Sequence, residues 1–186
     1  MLRTAAAPVG AVGVFTCGYL ALGLGAALDA GNYEFVLYVG IVLLAGLGVL
    51  AIRRRAGFTA GLLWALSAWG LLHMLGGLCP VPVAWPIDGD QRVLYSWWIV
   101  PGLLKFDHPV HAYGFGAATW ACWQGVRSAS GARRPTAGLL ALAAFAGMGL
   151  GAVNEVLEFL TTLVLDTNVG GYANTGWDLV ANAAGA

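Results

Sequence analysis

The sequence predicts an all-α fold, a polytopic bundle of about six transmembrane helices with a cytoplasmic N-terminus. Three observations carry that prediction. Of the 186 residues, 59% are hydrophobic and only 10% charged, whereas soluble domains carry about 25% charged residues. Apolar runs of about 20 residues, the length a helix needs to cross a hydrocarbon core, recur along the chain. The alternating segments of about ten residues that mark a transmembrane barrel are absent. Residues 1–186 read as a single integral membrane domain.

Spans are expected at 8–28, 34–52, 58–78, 110–127, 137–165 and 175–186. The first follows Arg3 and could pass for a signal peptide, but its apolar stretch exceeds the usual h-region of about 7–15 residues. Basic residues cluster at Arg3, at Arg53, Arg54 and Arg55, and at Arg127, Arg133 and Arg134. With six alternating spans, these seven of the nine basic residues fall on one side, and the acids lie in or toward the other. The positive-inside rule makes the basic side cytoplasmic, and so places the long 79–109 loop outside. That loop holds four prolines, an Asp-Gly turn at 88–89, and Trp85, Tyr95, Trp97 and Trp98. Such aromatic density fits a segment lying at the headgroup level, either as an interfacial anchor or as a lid.

Gly57 and Gly61, and Gly147 and Gly151, are spaced four apart, the pattern that lets membrane helices approach closely. The last expected span is short, about 20 Å as a helix. On that basis either the chain stops within the membrane or the natural protein continues. Cys17, Cys79 and Cys122 are scattered, without metal-type spacing. A net charge of zero offers no bulk attraction for nucleic acid. No internal repeat is evident.

Charged side chains within spans cost roughly 2.5–3.5 kcal/mol each at mid-membrane, so those present need a reason. Asp107 and His111 are four apart at the mouth of the fourth span, with Lys105 and His108 beside them. Glu155 and Glu158 are three apart in the fifth, after Asn154, and Asp178 and Asn182 are four apart in the sixth. Spacings of three and four put each pair on one helix face. The expected topology brings all of these, and His73, to the outer leaflet as the walls of one outward-opening cavity.

Each has a plainer reading. Asp107 could cap the fourth helix, with Pro109 in its first turn, and Asp178, Asn174 or Thr175 could cap the sixth. His73 could be a hydrogen-bonded packing residue, Asn182 a helix–helix hydrogen bond, and Glu34 an interfacial side chain. The glutamate pair resists this treatment, because two carboxylates on one membrane-helix face need a cation or a shared proton.

Imidazole with carboxylates is the ligand chemistry of zinc, iron or manganese. Glu-x-x-Glu is not the Glu-x-x-His of di-iron bundles, and three histidines are too few for a desaturase-type centre. HExxH, GxSxG and Walker-type motifs are absent. The expected metal ligands are therefore Asp107, His111 and Glu155, with Glu158 and Asp178 as catalytic groups. His73, His108, Asn154 and Asn182 would support them.

The order Asp107-x-x-x-His111, Glu155, Asp178-x-x-x-Asn182-x-x-Gly185 resembles that of the small VanZ-like membrane proteins, which are associated with glycopeptide resistance. It is closer to the uncharacterised YjdF-type inner-membrane family, with its Asp/His motif, paired glutamates and terminal Trp-Asp segment. The resemblance covers about residues 70–186. His108 stands where VanZ-like proteins commonly have lysine, and the arginine they carry between the glutamate and the last aspartate is missing. What the resemblance implies is one site formed by Asp107, His111, Glu155, Asp178 and Asn182, in a multi-pass protein of the bacterial inner membrane.

Three functions follow as expectations. One is a metal-dependent hydrolase or transferase on a lipid-linked or cell-envelope substrate. Another is a cation or proton transporter component, against which stands an inner half of the spans without carboxylates or histidines. The third is a non-catalytic membrane subunit, or homo-oligomer, whose polar cluster only joins helices.

Overall fold

A computed structural model describes residues 6–132, 134–165, 167 and 171–186. Among them are six α-helices: α1 (Ala6–Asp29), α2 (Tyr33–Ala56), α3 (Ala60–Leu78), α4 (Asp107–Ser130), α5 (Ala137–Thr162) and α6 (Tyr172–Gly185). Between α3 and α4 the loop carries a 3-10 turn at Leu94–Ser96 and a small antiparallel pair, β1 (Trp98–Val100) with β2 (Leu104–Lys105).

Local signals account for the helix ends. The side chains of Asn32, Thr59 and Thr136 accept hydrogen bonds from Phe35 N, Leu62 N and Leu139 N, satisfying amides that the first turn leaves unpaired. Gly57 ends α2 at φ 72°, a left-handed conformation suited to glycine. It is therefore a helix stop, not half of a packing pair, while Gly61 lies against Trp120 of α4.

Among the described residues, four helices are long and apolar enough to cross a membrane: α1 from Val9, α2, α3 and α5. Helix α4, at 24 residues, is about 36 Å long and could span, but its polar residues lower its hydropathy. Its position explains why they are tolerated. It packs against α2, α3, α5 and α6, so protein rather than lipid surrounds much of it. Helix α6 has 14 residues, beginning at Tyr172 rather than 175, and lies against α4 and α5.

Glycines set these contacts differently from expectation. A Cβ on Gly151 would strike Asn182 of α6, but one on Gly147 would strike Thr119 of α4, and one on Gly185 would strike the Ala112 backbone of α4. Of the Gly147/Gly151 pair, then, only Gly151 seats α5 against α6, while Gly147 and Gly185 seat their helices against α4.

The two ends of the bundle differ. At one end the α2–α3 connection meets the close of α4, where Gln124 Oε1 accepts from Thr59 N and Ser128 Oγ donates to Arg55 O. Arg53, Arg54, Arg55 and Arg127 belong to this end. Of the basic residues behind the expected orientation, Arg3 and Arg133 lie outside the described residues. The polar cluster occupies the opposite end, beside the starts of α2 and α4 and the close of α3.

Candidate functional site

A cavity of about 450 Å³ opens at that end. Its walls include Glu34 and Tyr38 of α2, His73 of α3, Asp107 and His111 of α4, Glu158 of α5 and Asn174 of α6. The loop contributes Asp88, Asp90, Tyr95 and Lys105, so it walls the mouth. Burial raises the Tyr95 phenol well above its usual pKa, and the carboxylates of Asp107 and Glu158 add to this. Its hydroxyl lies 2.6 Å from His73 Nδ1, tying the loop to α3.

Asp107 does not cap α4. The cap position is Phe106, with no side-chain capping bond, and Asp107 is the first helical residue. Its carboxylate turns instead along the helix face, placing Oδ1 3.4 Å from His111 Nε2. Asp178 is not a cap either, because α6 starts at Tyr172 after Gly171. It is completely buried.

Three asparagines orient the carboxylates. Asn154 Nδ2 donates to Glu158 Oε1 at 2.7 Å, Asn174 Nδ2 to Asp178 Oδ2 at 2.5 Å, and Asn182 Nδ2 to Glu155 Oε1 at 3.0 Å. With its amide nitrogen facing Glu155, Asn182 presents Oδ1 to His111 Nδ1 at 2.9 Å. A carbonyl oxygen only accepts, so Nδ1 carries the hydrogen and the neutral ring keeps its lone pair on Nε2. That lone pair faces the Asp107 carboxylate. Two acceptors in that arrangement call for a cation between them, whether a proton or a metal.

Metal-ligating histidines usually donate their other N–H to a fixed acceptor, and Asn182 supplies one here. Beside Asp107 and His111, Asp178 Oδ1 is buried and has no hydrogen-bond partner among the described residues. One ligand atom from each of these three residues lies within 4.8 Å of the other two. Two ligands at about 2.2 Å from one ion lie no more than roughly 4.4 Å apart, so a shift of a few tenths of an ångström closes the set. His111, Glu155 and Glu158 form a second such group. The expected trio of Asp107, His111 and Glu155 thus divides between two groups, with His111 common to both.

Most of the expected site residues meet here. Asp107, His111, Glu155, Glu158, Asp178 and Asn182 converge; Asn154 supports Glu158; and His73 stands across the cavity. His108 departs. Its ring stacks on Trp177, centroids 6.0 Å apart, and lines a separate apolar pocket. Lys105 and Asn174 were not anticipated in these roles. Lys105 Nζ donates to Asn174 Oδ1 and lies 3.5 Å from Asp88 Oδ2. Asn174 stands four residues before Asp178, so helical spacing alone pointed to it. Lys105 was expected at the cavity beside Asp107, though not with these partners, whereas nothing local pointed to Tyr95, which reaches the site by loop folding.

Fold and site together define an all-α membrane protein with a buried histidine–carboxylate cluster at one end of its bundle. The chain belongs to the family described as "Predicted membrane protein (DUF2238)", which matches residues 11–186. No curated protein and no solved structure matches it.

Proposed function

We propose that the chain holds a divalent transition metal (zinc, iron or manganese) at Asp107, His111 Nε2 and Asp178 Oδ1. In this reading it is a metal-dependent hydrolase or transferase for a lipid-linked or cell-envelope substrate. The observation that carries the reading is His111 Nε2 facing Asp107 Oδ1 at 3.4 Å, with Asp178 Oδ1 lacking a partner among the described residues. A divalent ion supplies Lewis-acid chemistry and lowers the pKa of water toward about 7. Glu158, held by Asn154 at the cavity wall, is placed to take up a proton, and Glu155 fixes His111 through Asn182.

The clustering of arginines at the end away from the cavity supports a cytoplasmic N-terminus and a cavity open to the outer leaflet. The order of polar motifs supports kinship with the YjdF-type and, more distantly, VanZ-like proteins of the bacterial inner membrane.

A second reading, a non-catalytic subunit, is favoured by one observation: His111, Glu155 and Asn182 tie α4, α5 and α6 together without an ion. Metal analysis of the purified full chain separates the two. The metal reading expects about one ion per chain, lost in His111→Ala and Asp178→Asn. Wild-type protein with no metal above the detergent blank after loading would overturn it.

A further inference from the structure

A second cavity, of about 300 Å³, is lined by different residues from the first. Its lining is apolar except for His108: Val100, Leu103 and Leu104 from the β1–β2 pair, with Trp177 and Ala181 from α6. Adjacent residues on three elements face opposite ways. Lys105, Asp107 and Asp178 belong to the polar site, whereas Leu104, His108 and Trp177 line the apolar pocket. One wall separates the two.

His108 is only 6% exposed. Its Nδ1 accepts from Lys105 N at 3.4 Å, so its hydrogen sits on Nε2. Nε2 is buried without a partner among the described residues. A lone donor in an apolar pocket calls for an acceptor carried on an apolar chain. Leu103 and Trp177 are 60% and 49% exposed, and in a membrane protein such apolar surface meets lipid. The volume is at the low end for a ligand pocket, about 300–1,000 Å³, which suits a segment of chain rather than a whole molecule.

The geometry points to a binding site for an ester-linked acyl chain of a bilayer lipid, the chain lying along Leu103, Leu104 and Trp177 and its ester carbonyl accepting from His108 Nε2. The inference deepens the lipid-linked reading above and rests on it for the polar site's role.

The test is photo-crosslinking of the full chain in lipid nanodiscs. The probe is a phosphatidylcholine with a diazirine near the start of its acyl chain, in ester- and ether-linked forms. Labelled residues are mapped by mass spectrometry. With the ester probe, Leu103, Leu104 and Trp177 should be labelled well above Leu44, an exposed residue of α2. Leu103→Trp, which fills the pocket, should reduce that labelling to the Leu44 level. The ester probe should exceed the ether probe by about fivefold, the worth of one hydrogen bond, and His108→Phe should abolish the difference. Labelling no higher than at Leu44, or equal labelling by both probes on wild-type protein, would overturn the site. Asp178→Asn should lose metal and keep the labelling, so failure of the metal reading and failure of this one are separate results.

Discussion

Asn182 Oδ1 lies 2.9 Å from His111 Nδ1 while the same amide's nitrogen donates to Glu155 Oε1. One side chain on α6 thus sets both the hydrogen position on a histidine of α4 and the orientation of a carboxylate on α5. Asn182→Leu removes the acceptor and the donor together. Two buried groups lose their partners, which costs about 1–3 kcal/mol each. The expected outcome is a clear fall in thermal unfolding temperature, and a loss of metal as large as that in His111→Ala. Unchanged metal content would separate Asn182 from the site.

The cluster's members should differ in their effect on metal. On the metal reading proposed above, Asp107→Asn, His111→Ala and Asp178→Asn take away ligands and should bring the metal-to-protein ratio to background. Glu158→Gln should retain it, because Glu158 belongs to the other group and is already engaged by Asn154. Elemental analysis of the four variants decides this. Loss in Glu158→Gln with retention in Asp178→Asn would move the ion to the Glu155 side.

Lys105 acts at one remove. An ammonium only donates, so Asn174 must turn Oδ1 toward it and Nδ2 toward Asp178. Lys105→Met frees the amide to flip and leaves Asp178 Oδ2 facing an oxygen. Groups that orient ligands typically affect metal affinity 10- to 100-fold, and a loss in that range is expected by competition with a chelator. An unaltered affinity would remove Lys105 from the account.

Gly151 and Gly149 stand on the same helix and should respond oppositely. A Cβ on Gly151 would lie 2.9 Å from Asn182 Cβ, whereas one on Gly149 meets nothing within 4 Å. Overpacking costs about 1–3 kcal/mol, so Gly151→Ala should lower thermal stability. Gly149→Ala should be neutral or stabilise by about 0.5–1 kcal/mol through helix propensity. Equal effects would mean that α5 and α6 are not seated as described.

Much of this arrangement was legible in the sequence because it is periodic. Pairs three or four apart, such as Asp107 with His111 and Glu155 with Glu158, can share a helix face wherever the helix lies. The placement of His108 was not legible, because one residue of helical rotation, about 100°, turns it off the Asp107 face, and its stacking on Trp177 depends on where α6 docks. The capping role expected of Asp107 fitted its local sequence, with Pro109 two residues on. It lost to another local contact, the pairing with His111 one turn along the same helix face. Lys105 and Tyr95 depend on how a 28-residue loop between α3 and α4 folds back, and apolar patterning carries no record of that.

The late position of α6 in the chain bears on biosynthesis. His111 and Glu155 are translated before Asp178 and Asn182 exist, so the polar faces of α4 and α5 stay unmatched until α6 docks. Each such residue costs roughly 2.5–3.5 kcal/mol at mid-membrane until it is shielded. Gly185 and Gly151 then govern how closely α6 can lie against α4 and α5. Assembly of the polar centre is thereby deferred until α6 has been made, and a nascent chain in which α6 fails to dock is left with unmatched carboxylates, open to recognition by membrane quality control.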